Sequence, residues 1–283
     1  MTPRLSLTIL VDNTAPADRN FTAEAGLSFL LETGGKKILF DTGLSGLFLT
    51  NAEKMGISLR NLDFLILSHG HSDHTGGLAP LAVHLAGTAP EGKQSRVPAL
   101  IAHPRCFWQK EKNGTMNGSA LSREEAGRQF SISLSAKPVW ITDDLVFLGE
   151  IPRRFPFEQA DPEKRTVHCP DGKIEPDTLP DDTALAFRSA EGLVIITGCS
   201  HAGICNITEY AREVCGERRV ADIIGGLHLL TPSPKRMQKT GKYLNRLHLS
   251  ALHAGHCTSL PAKQALTEYC PMQEVGVGMK FAW

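Results

Sequence analysis

Leu5-Ser6-Leu7-Thr8-Ile9 alternates apolar and polar side chains before running on into Leu10-Val11, the pattern of a half-buried strand. Two more apolar runs, Leu27–Glu32 and Lys36–Phe40, flank Thr33-Gly34-Gly35, and a glycine pair between such runs is a hairpin signal. After Asp41-Thr42-Gly43 the period changes, with Leu44, Leu47, Phe48 and Met55 at helical spacing, so strand, sharp turn and helix follow one another. Phe64–Leu67 is the next expected strand, and Leu78, Leu81, Ala82 and Leu85 mark a helix entered through Thr75-Gly76-Gly77. Pro98–His103 reads as a further strand. From Trp108 to Arg128 no period is sustained, which predicts a mobile flap or cap. From Glu150 to Asp182 prolines and charges cluster, which predicts an irregular insertion near the pocket.

The second half opens on another hairpin, Thr183–Phe187 and Leu193–Thr197 joined by Ser189-Ala190-Glu191-Gly192, and it delivers Gly198-Cys199-Ser200-His201. Ile204, Ile207, Ala211 and Val214 continue as a helix, Ala221–His228 is a strand, and Met237, Leu244 and Leu247 lie on a helix after Pro232 and Pro234. Leu249–Cys257 contains a short strand ending in histidine, and a last helix opens near Ser259 with Pro261 in its first turn. No internal repeat is strong enough to claim. If each run of strands forms one sheet covered by helices on its outer face, the fold class is α/β and the architecture an αβ/βα sandwich. The expected organisation is a single domain over residues 1–283, with a cap or insertion around residues 104–135 and 150–182.

Composition narrows the classes without naming a function. A chain of 283 residues with 41% hydrophobic side chains can bury a substantial core, which excludes fibrous and disordered classes. Thirty basic side chains balance thirty acidic ones, so no global field recruits nucleic acid or an anionic membrane, and neither is an expected partner. No window approaches a membrane span, and the first residues read as a strand and not as a signal peptide, so a cytoplasmic protein is expected. The seven cysteines are odd in number and lack a CxxC pair, which favours free thiols in a reducing compartment.

The chemistry lies in His69-Gly70-His71-Ser72-Asp73-His74, directly after the strand Phe64–Leu67. Three imidazoles and a carboxylate within six residues are metal-ligand chemistry. Alternate residues of an extended turn point the same way, so His69 and His71 can share one ion, which leaves Asp73 and His74 for a second. Asp41, His201 and His256 also stand at expected strand ends. His228 follows a glycine pair at a strand end, where it contacts substrate or simply packs, and His103 is a second candidate for the same mouth. His84, His168, His248 and His253 have no supporting context. Arg153, Arg154, Lys235, Arg236 and Lys239 could meet a phosphate, but charged loops usually face solvent and no role is assigned to them. Phe107 and Trp108 suit stacking on a planar ring and burial equally well.

This arrangement resembles the metallo-β-lactamase superfamily, whose HxHxDH signature is matched in full by His69, His71, Asp73 and His74. The resemblance spans nearly the whole chain and includes Phe40-Asp41-Thr42-Gly43. Thr197–Ile204, Gly225–Leu229 and Gly255–Thr258 are similar to the branch named for 7,8-dihydropterin-6-ylmethyl-4-(β-D-ribofuranosyl)aminobenzene 5'-phosphate synthase. The resemblance implies a four-layer αβ/βα sandwich with two divalent metal ions, zinc foremost and iron, manganese or nickel as alternatives. It implies that His69, His71 and His201 hold one ion, that Asp73, His74 and His256 hold the other, and that Asp41 orients the histidine loop from behind. Many relatives carry a ligand histidine before the second hairpin and a bridging aspartate after it. This chain offers Asp181-Asp182 before and Cys199 to His201 after, so Asp182 is a reserve ligand, and whether Asp182 or Cys199 reaches an ion stays open.

Two ions held roughly 3.5–4 Å apart lower the pKa of a bound water and polarise the group under attack, and Asp73 is the candidate acid or base. The resemblance therefore implies a hydrolase or transferase acting on a small phosphorylated or pterin-like substrate. In the branch's reaction an arylamine would displace diphosphate from a hydroxymethyl-dihydropterin. Two alternatives belong to other classes: an iron redox enzyme without flavin, and a metal-containing small-molecule-binding or regulatory protein. Oligomeric state is not legible.

Overall fold

The elements follow from where apolar side chains recur. In chain order the first are β1 (Leu5–Val11), β2 (Ser28–Thr33), β3 (Lys36–Phe40), α1 (Leu47–Lys54), β4 (Phe64–Ile66), α2 (Ser72–Thr75), α3 (Leu78–Ala86) and β5 (Ala99–Ala102). Next come β6 (Gln109–Lys112), β7 (Thr115–Met116), α4 (Arg123–Gly127), β8 (Ser131–Leu134), β9 (Val139–Trp140), β10 (Leu145–Phe147) and a 3₁₀ turn at Pro156–Glu158. They are followed by β11 (Arg165–His168), β12 (Ile174–Pro176), β13 (Ala184–Arg188), β14 (Leu193–Thr197), α5 (Ile204–Cys215) and β15 (Val220–Gly226). The last are α6 (Pro234–Asn245), β16 (Ala251–Gly255), α7 (Leu260–Leu266) and β17 (Lys280–Ala282). This computed structural model describes residues 4–87, 97–158 and 165–283; residues 159–164, within the expected second insertion, lie outside the described residues. No helix among the described residues is long and apolar enough to cross a membrane.

The chain divides into two compact units, residues 1–135, 162–181 and 276–283 forming the first and residues 136–161 and 182–275 the second. In the first, a seven-stranded sheet runs β17-β1-β2-β3-β4-β5-β8. Its first part is antiparallel, and β3, β4, β5 and β8 are parallel, so their C-terminal ends lie along one edge. Leu39, Phe48, Leu65, Leu81 and Leu100 fill the core between this sheet and its helices. In the second unit a six-stranded sheet runs β16-β15-β14-β13-β10-β9, with β14, β15 and β16 parallel. Every residue of β14 is buried, which explains its unbroken apolar run, since a central parallel strand is covered on both faces. Val146, Ile195, Ile207, Ile223 and Leu252 lie in this second core.

Within the expected flap and insertion the structure shows paired strands where the sequence pattern shows no period. Gln109–Lys112 pairs antiparallel with Arg165–His168, and this joins two hairpins into a four-stranded sheet ordered β12-β11-β6-β7 within the first unit. The pattern concealed these strands because β6 is Gln-Lys-Glu-Lys, whose one buried residue is a lysine, Lys110. Phe107 is buried in the first core, whereas Arg105 stacks over the Trp108 ring, 4.7 Å from its centroid.

Helix α5 begins without a capping side chain of its own. Gly203 precedes it at φ 97°, and the buried Glu158 carboxylate accepts the amides of Cys205 and Asn206, each at 2.9 Å. A Cβ at Gly203 would lie 2.3 Å from a Glu158 oxygen, so the glycine is required by both space and backbone conformation. Glu158→Ala strips two buried amides of their acceptor. Its expected loss is about 1–3 kcal/mol of stability in urea unfolding, and a midpoint equal to wild type would refute the capping role.

Candidate metal centre

In the first unit the site is built on strand ends. Asp41 follows β3 in a left-handed conformation, φ 59°, and is fully buried. Its carboxylate accepts the Ser68 amide at 2.7 Å and the Ser68 hydroxyl at 2.6 Å, and it meets His74 Nδ1 at 2.7 Å. The Ser68 hydroxyl, having given its hydrogen to Asp41, can only accept from His69 Nδ1, 3.0 Å away. Both Nδ1 atoms are therefore N–H, and the Nε2 atoms of His69 and His74 are left as lone-pair donors. The His69 and His74 rings lie 4.3 Å apart by centroid, His69 Nε2 is 3.0 Å from His71 Nδ1, and Asp73 Oδ2 is 3.8 Å from His74 Nε2. Burial holds the pKa of His71 down to about 3, outweighing the pull of Asp73 and Asp181, so its imidazole is neutral.

The loop between His69 and His71 is fixed by a buried ion pair. Gly70 sits so close to Cys106 that a Cβ would fall 1.9 Å from the carbonyl oxygen, and its amide donates to Asp181 at 2.9 Å. Lys110 Nζ donates to the other Asp181 oxygen at 2.9 Å and to Asp177 at 3.1 Å. Burial alone would push the Asp181 carboxyl up, but Lys110 and the Gly70 amide more than offset it and hold the pKa below the ordinary value. Burial likewise opposes the Lys110 charge, and Asp181 and Asp177 overcome that too, raising its pKa.

In the second unit three adjacent parallel strands end in comparable turns. Ser200 (φ 61°), His228 (φ 47°) and His256 (φ 45°) all adopt the left-handed backbone that non-glycine residues rarely enter. Such strain persists where the surrounding structure enforces it, and it concentrates at functional sites. The enforcing bonds are visible: Ser200 Oγ donates to the Gly226 carbonyl at 2.6 Å, Gly226 N to the Gly198 carbonyl at 2.9 Å, and Leu227 N to Thr258 Oγ1 at 3.0 Å. The His201 and His228 rings come within 4.1 Å by centroid, and one ligand atom from each of Cys199, His201 and His228 lies within 4.8 Å of the others. These donors fit divalent ions: in the first unit imidazoles, two of them with lone pairs directed by hydrogen bonds, and a carboxylate, and in the second imidazoles and a buried thiol.

Comparison with known proteins agrees with this chemistry. Residues 21–214 match the family model of the metallo-β-lactamase superfamily. The chain belongs to that superfamily. A relative from Methanocaldococcus jannaschii, 7,8-dihydropterin-6-methyl-4-(beta-D-ribofuranosyl)-aminobenzene-5'-phosphate synthase, is 30% identical over 92% of this chain and 89% of its own. The solved structure of Tm1679, a metal-dependent hydrolase of the β-lactamase superfamily, superposes with a TM-score of 0.83 at 28% identity, covering 99% of both chains. Zn(2+)-bound PqqB from Methylobacterium extorquens shares the fold alone, at 10% identity and a TM-score of 0.53 over 98% of this chain and 100% of its own. The chain is thus a metallo-β-lactamase fold protein, mixed α/β with several sheets, from a family of metal-dependent enzymes.

Within this metallo-β-lactamase fold the expected residues are distributed over the two units. His69, His71, Asp73, His74 and Asp41 cluster in the first, and His201, His228 and His256 end neighbouring strands in the second. Asp182 Oδ2 accepts the Ala202 amide at 2.8 Å, which ties down the turn after His201. His103 is buried, and its Nδ1 accepts the Arg105 amide within its own turn at 3.1 Å. Arg153 donates to the His201 carbonyl at 3.0 Å, and Arg154 pairs with Glu213. Sequence reasoning passed over Lys110, Asp177 and Ser68. A lysine at the inward position of a short polar strand was the available signal for the first of them.

Two outcomes follow for the metal-free chain. Lys110→Ala leaves Asp177 and Asp181 buried without their cation and is expected to remove about 3–5 kcal/mol of stability; a loss under about 1 kcal/mol would count against the ion pair. His71 stays neutral in the folded chain down to about 3, whereas the unfolded chain protonates it below its ordinary 6.5. Its contribution is complete above that value and declines as the pH falls, by about 2 kcal/mol at pH 5. Urea midpoints at pH 7.5 and 5 in chelator test this: the wild type drops, and His71→Gln flattens the difference.

Proposed function

We propose that the chain is a metal-dependent transferase acting on a small phosphorylated, pterin-like substrate, and that hydrolysis is the same machinery's reaction when water replaces the acceptor. The observation that carries the reading is the set of buried imidazoles whose Nε2 lone pairs are directed by the Asp41–Ser68 hydrogen bonds. Similarity to the Methanocaldococcus jannaschii synthase supports the substrate class. The proposed ligands are His69, His71 and His201 for one ion and Asp73, His74 and His256 for the other, with zinc the first choice. When bound, the ions would supply Lewis acidity toward the phosphate oxygens and lower the pKa of a bound water.

The chain's own groups do the rest. Asp41 keeps His69 and His74 in the ligating tautomer. Lys110 and Asp181 hold the Gly70 amide between two ligand positions. The Asp73 side chain is 32% exposed, which lets it meet an incoming nucleophile. In the transfer, the arylamine nitrogen bonds to the pterin methylene carbon, the carbon–oxygen bond breaks, diphosphate leaves with the electron pair, and Asp73 accepts the amine proton.

Elemental analysis of purified wild type beside His201→Ala tests the metal reading. About two ions in the wild type and fewer in the variant are expected. Wild-type content below one that added metal does not restore would favour a binding protein on this fold. Incubation of loaded chain with a hydroxymethyl-dihydropterin diphosphate and an arylamine phosphate is expected to form the carbon–nitrogen product, and diphosphate release without it would assign hydrolysis.

A further inference from the structure

We infer that Arg236 is the phosphate-recognising residue of the second unit, a guanidinium that binds the phosphomonoester of the acceptor substrate apart from the metal ions. The inference rests on the transferase reading above and deepens it. Ions that take the diphosphate of one substrate leave the phosphate of the other, an arylamine phosphate, still to be held, and that task falls to a separate cation.

Of the five basic side chains that the sequence offers to a phosphate, four are committed elsewhere or open to water. Arg153 donates to the His201 carbonyl at 3.0 Å, Arg154 pairs with Glu213, Lys239 Nζ lies 5.3 Å from the centroid of the Phe157 ring, and Lys235 is exposed. Arg236 differs from all of them. It is half-buried, its Nε is shielded from solvent while its two Nη atoms are not, and among the described residues its guanidinium makes no hydrogen bond and no ion pair. Burial draws its pKa down, and Glu158 opposes that only in part.

Neither the nearby carboxylate nor the helix accounts for the charge. Both Glu158 oxygens are taken by the amides of Cys205 and Asn206, each at 2.9 Å. Arg236 also stands in the first turn of α6, three residues after the N-cap Ser233 and with no acidic residue beside it. A cation there opposes the helix macrodipole. A guanidinium drawn out of water without a partner is costly, and an anionic ligand supplies the missing charge.

Its position suits that ligand. Long side chains on a helix lean toward the N-terminus, so Arg236 reaches back toward Ser233, where the chain arrives from His228. That connection lies against the turn after β16: Leu229 bridges Thr258, and the Ser259 amide donates to the Leu229 carbonyl at 3.1 Å. Cys257, next to His256, is within electrostatic reach of Arg236, as is Cys205 at the start of α5. Arg236 thus stands beside the turns that carry His228 and His256, with two Nη donors to offer a pair of phosphate oxygens.

Phenyl phosphate added to chelator-treated chain tests this without metal or turnover. Its phosphorus resonance is expected to titrate to saturation with wild type, to bind about tenfold or more weakly to Arg236→Met, and to give an intermediate affinity with Arg236→Lys, which keeps a point charge without the planar pair of donors. Arg236→Met retains the apolar stem and removes a charge that has no partner, so its urea midpoint is expected to equal or exceed that of wild type. In the metal-loaded chain the same variant is expected to erase the preference for an arylamine phosphate over the unphosphorylated arylamine, read as the ratio of kcat/KM values. Failure of phenyl phosphate to saturate the wild type, equal binding by wild type and Arg236→Met, or a lowered midpoint in that variant would each overturn the proposal and leave the metal and transfer readings standing. Binding lost in Arg236→Met, from a wild type that forms no carbon–nitrogen product when loaded, would sink the transfer reading and keep Arg236 as a phosphate-recognising residue.

Discussion

The hydrogen bonds made by the Asp41 carboxylate decide what the histidine loop can do. A buried imidazole presents a lone pair on one nitrogen or the other, and its neighbours choose which. Asp41 accepts from the Ser68 amide, the Ser68 hydroxyl and His74, and the hydroxyl passes the constraint on to His69. One carboxylate thus sets two tautomers. It is held in turn by a left-handed turn at the end of β3, by its own amide bonded to the Ile66 carbonyl at 2.9 Å, and by Ser28 donating to its carbonyl at 2.9 Å. The strand pairing, the turn and the imidazole chemistry form one chain of causes.

The same logic operates separately in each unit. A hairpin leads into parallel strands, and the chemistry follows their C-terminal ends: Asp41, the His69–His74 loop and His103 in the first, Cys199 to His201, His228 and His256 in the second. Parallel strands deliver their following residues to one edge, so residues far apart in sequence become neighbours without long loops. Crowding at that edge is relieved by glycine. Gly76 and Gly77 approach the carbonyls of Leu44 and Thr42 so closely that a Cβ would fall 2.0 and 2.3 Å from their oxygens, as Gly225 and Gly226 do in the second unit.

What was legible in the sequence divides along physical lines. The long strands and helices were readable because each buries an apolar face with a regular period, and the ligand-type residues because imidazoles and carboxylates cluster where those strands stop. Strands β8, β9, β10 and β17 are two to four residues long, too short to establish a period. Strand β6 was hidden for another reason: its alternation is written in lysine and glutamate, and burial of Lys110 depends on partners about 70 residues away, Asp177 and Asp181. Capping of α5 by Glu158 escaped notice likewise, because the acceptor lies 47 residues before the amide it satisfies. Local pattern carries periodicity and composition, whereas long-range satisfaction of buried polar groups appears only once the chain is folded.

The Lys110–Asp177–Asp181 group shows why such satisfaction matters to the site and not only to stability. Apolar side chains of similar volume often stabilise a core as well as a buried ion pair does, because removing charges from water is expensive. Volume is not what this group supplies. Asp181 has two oxygens with separate duties: one takes the lysine, which keeps the carboxylate charged in a dry environment, and the other takes the Gly70 amide. A leucine in its place would fill the space and leave that amide without an acceptor. With Cys106 blocking any Cβ at position 70, the backbone between His69 and His71 is held from both sides, by a carbonyl contact and by a carboxylate. The charge on Lys110 therefore acts through Asp181 on the spacing of two imidazoles, a constraint that no apolar packing of the four-stranded sheet could transmit.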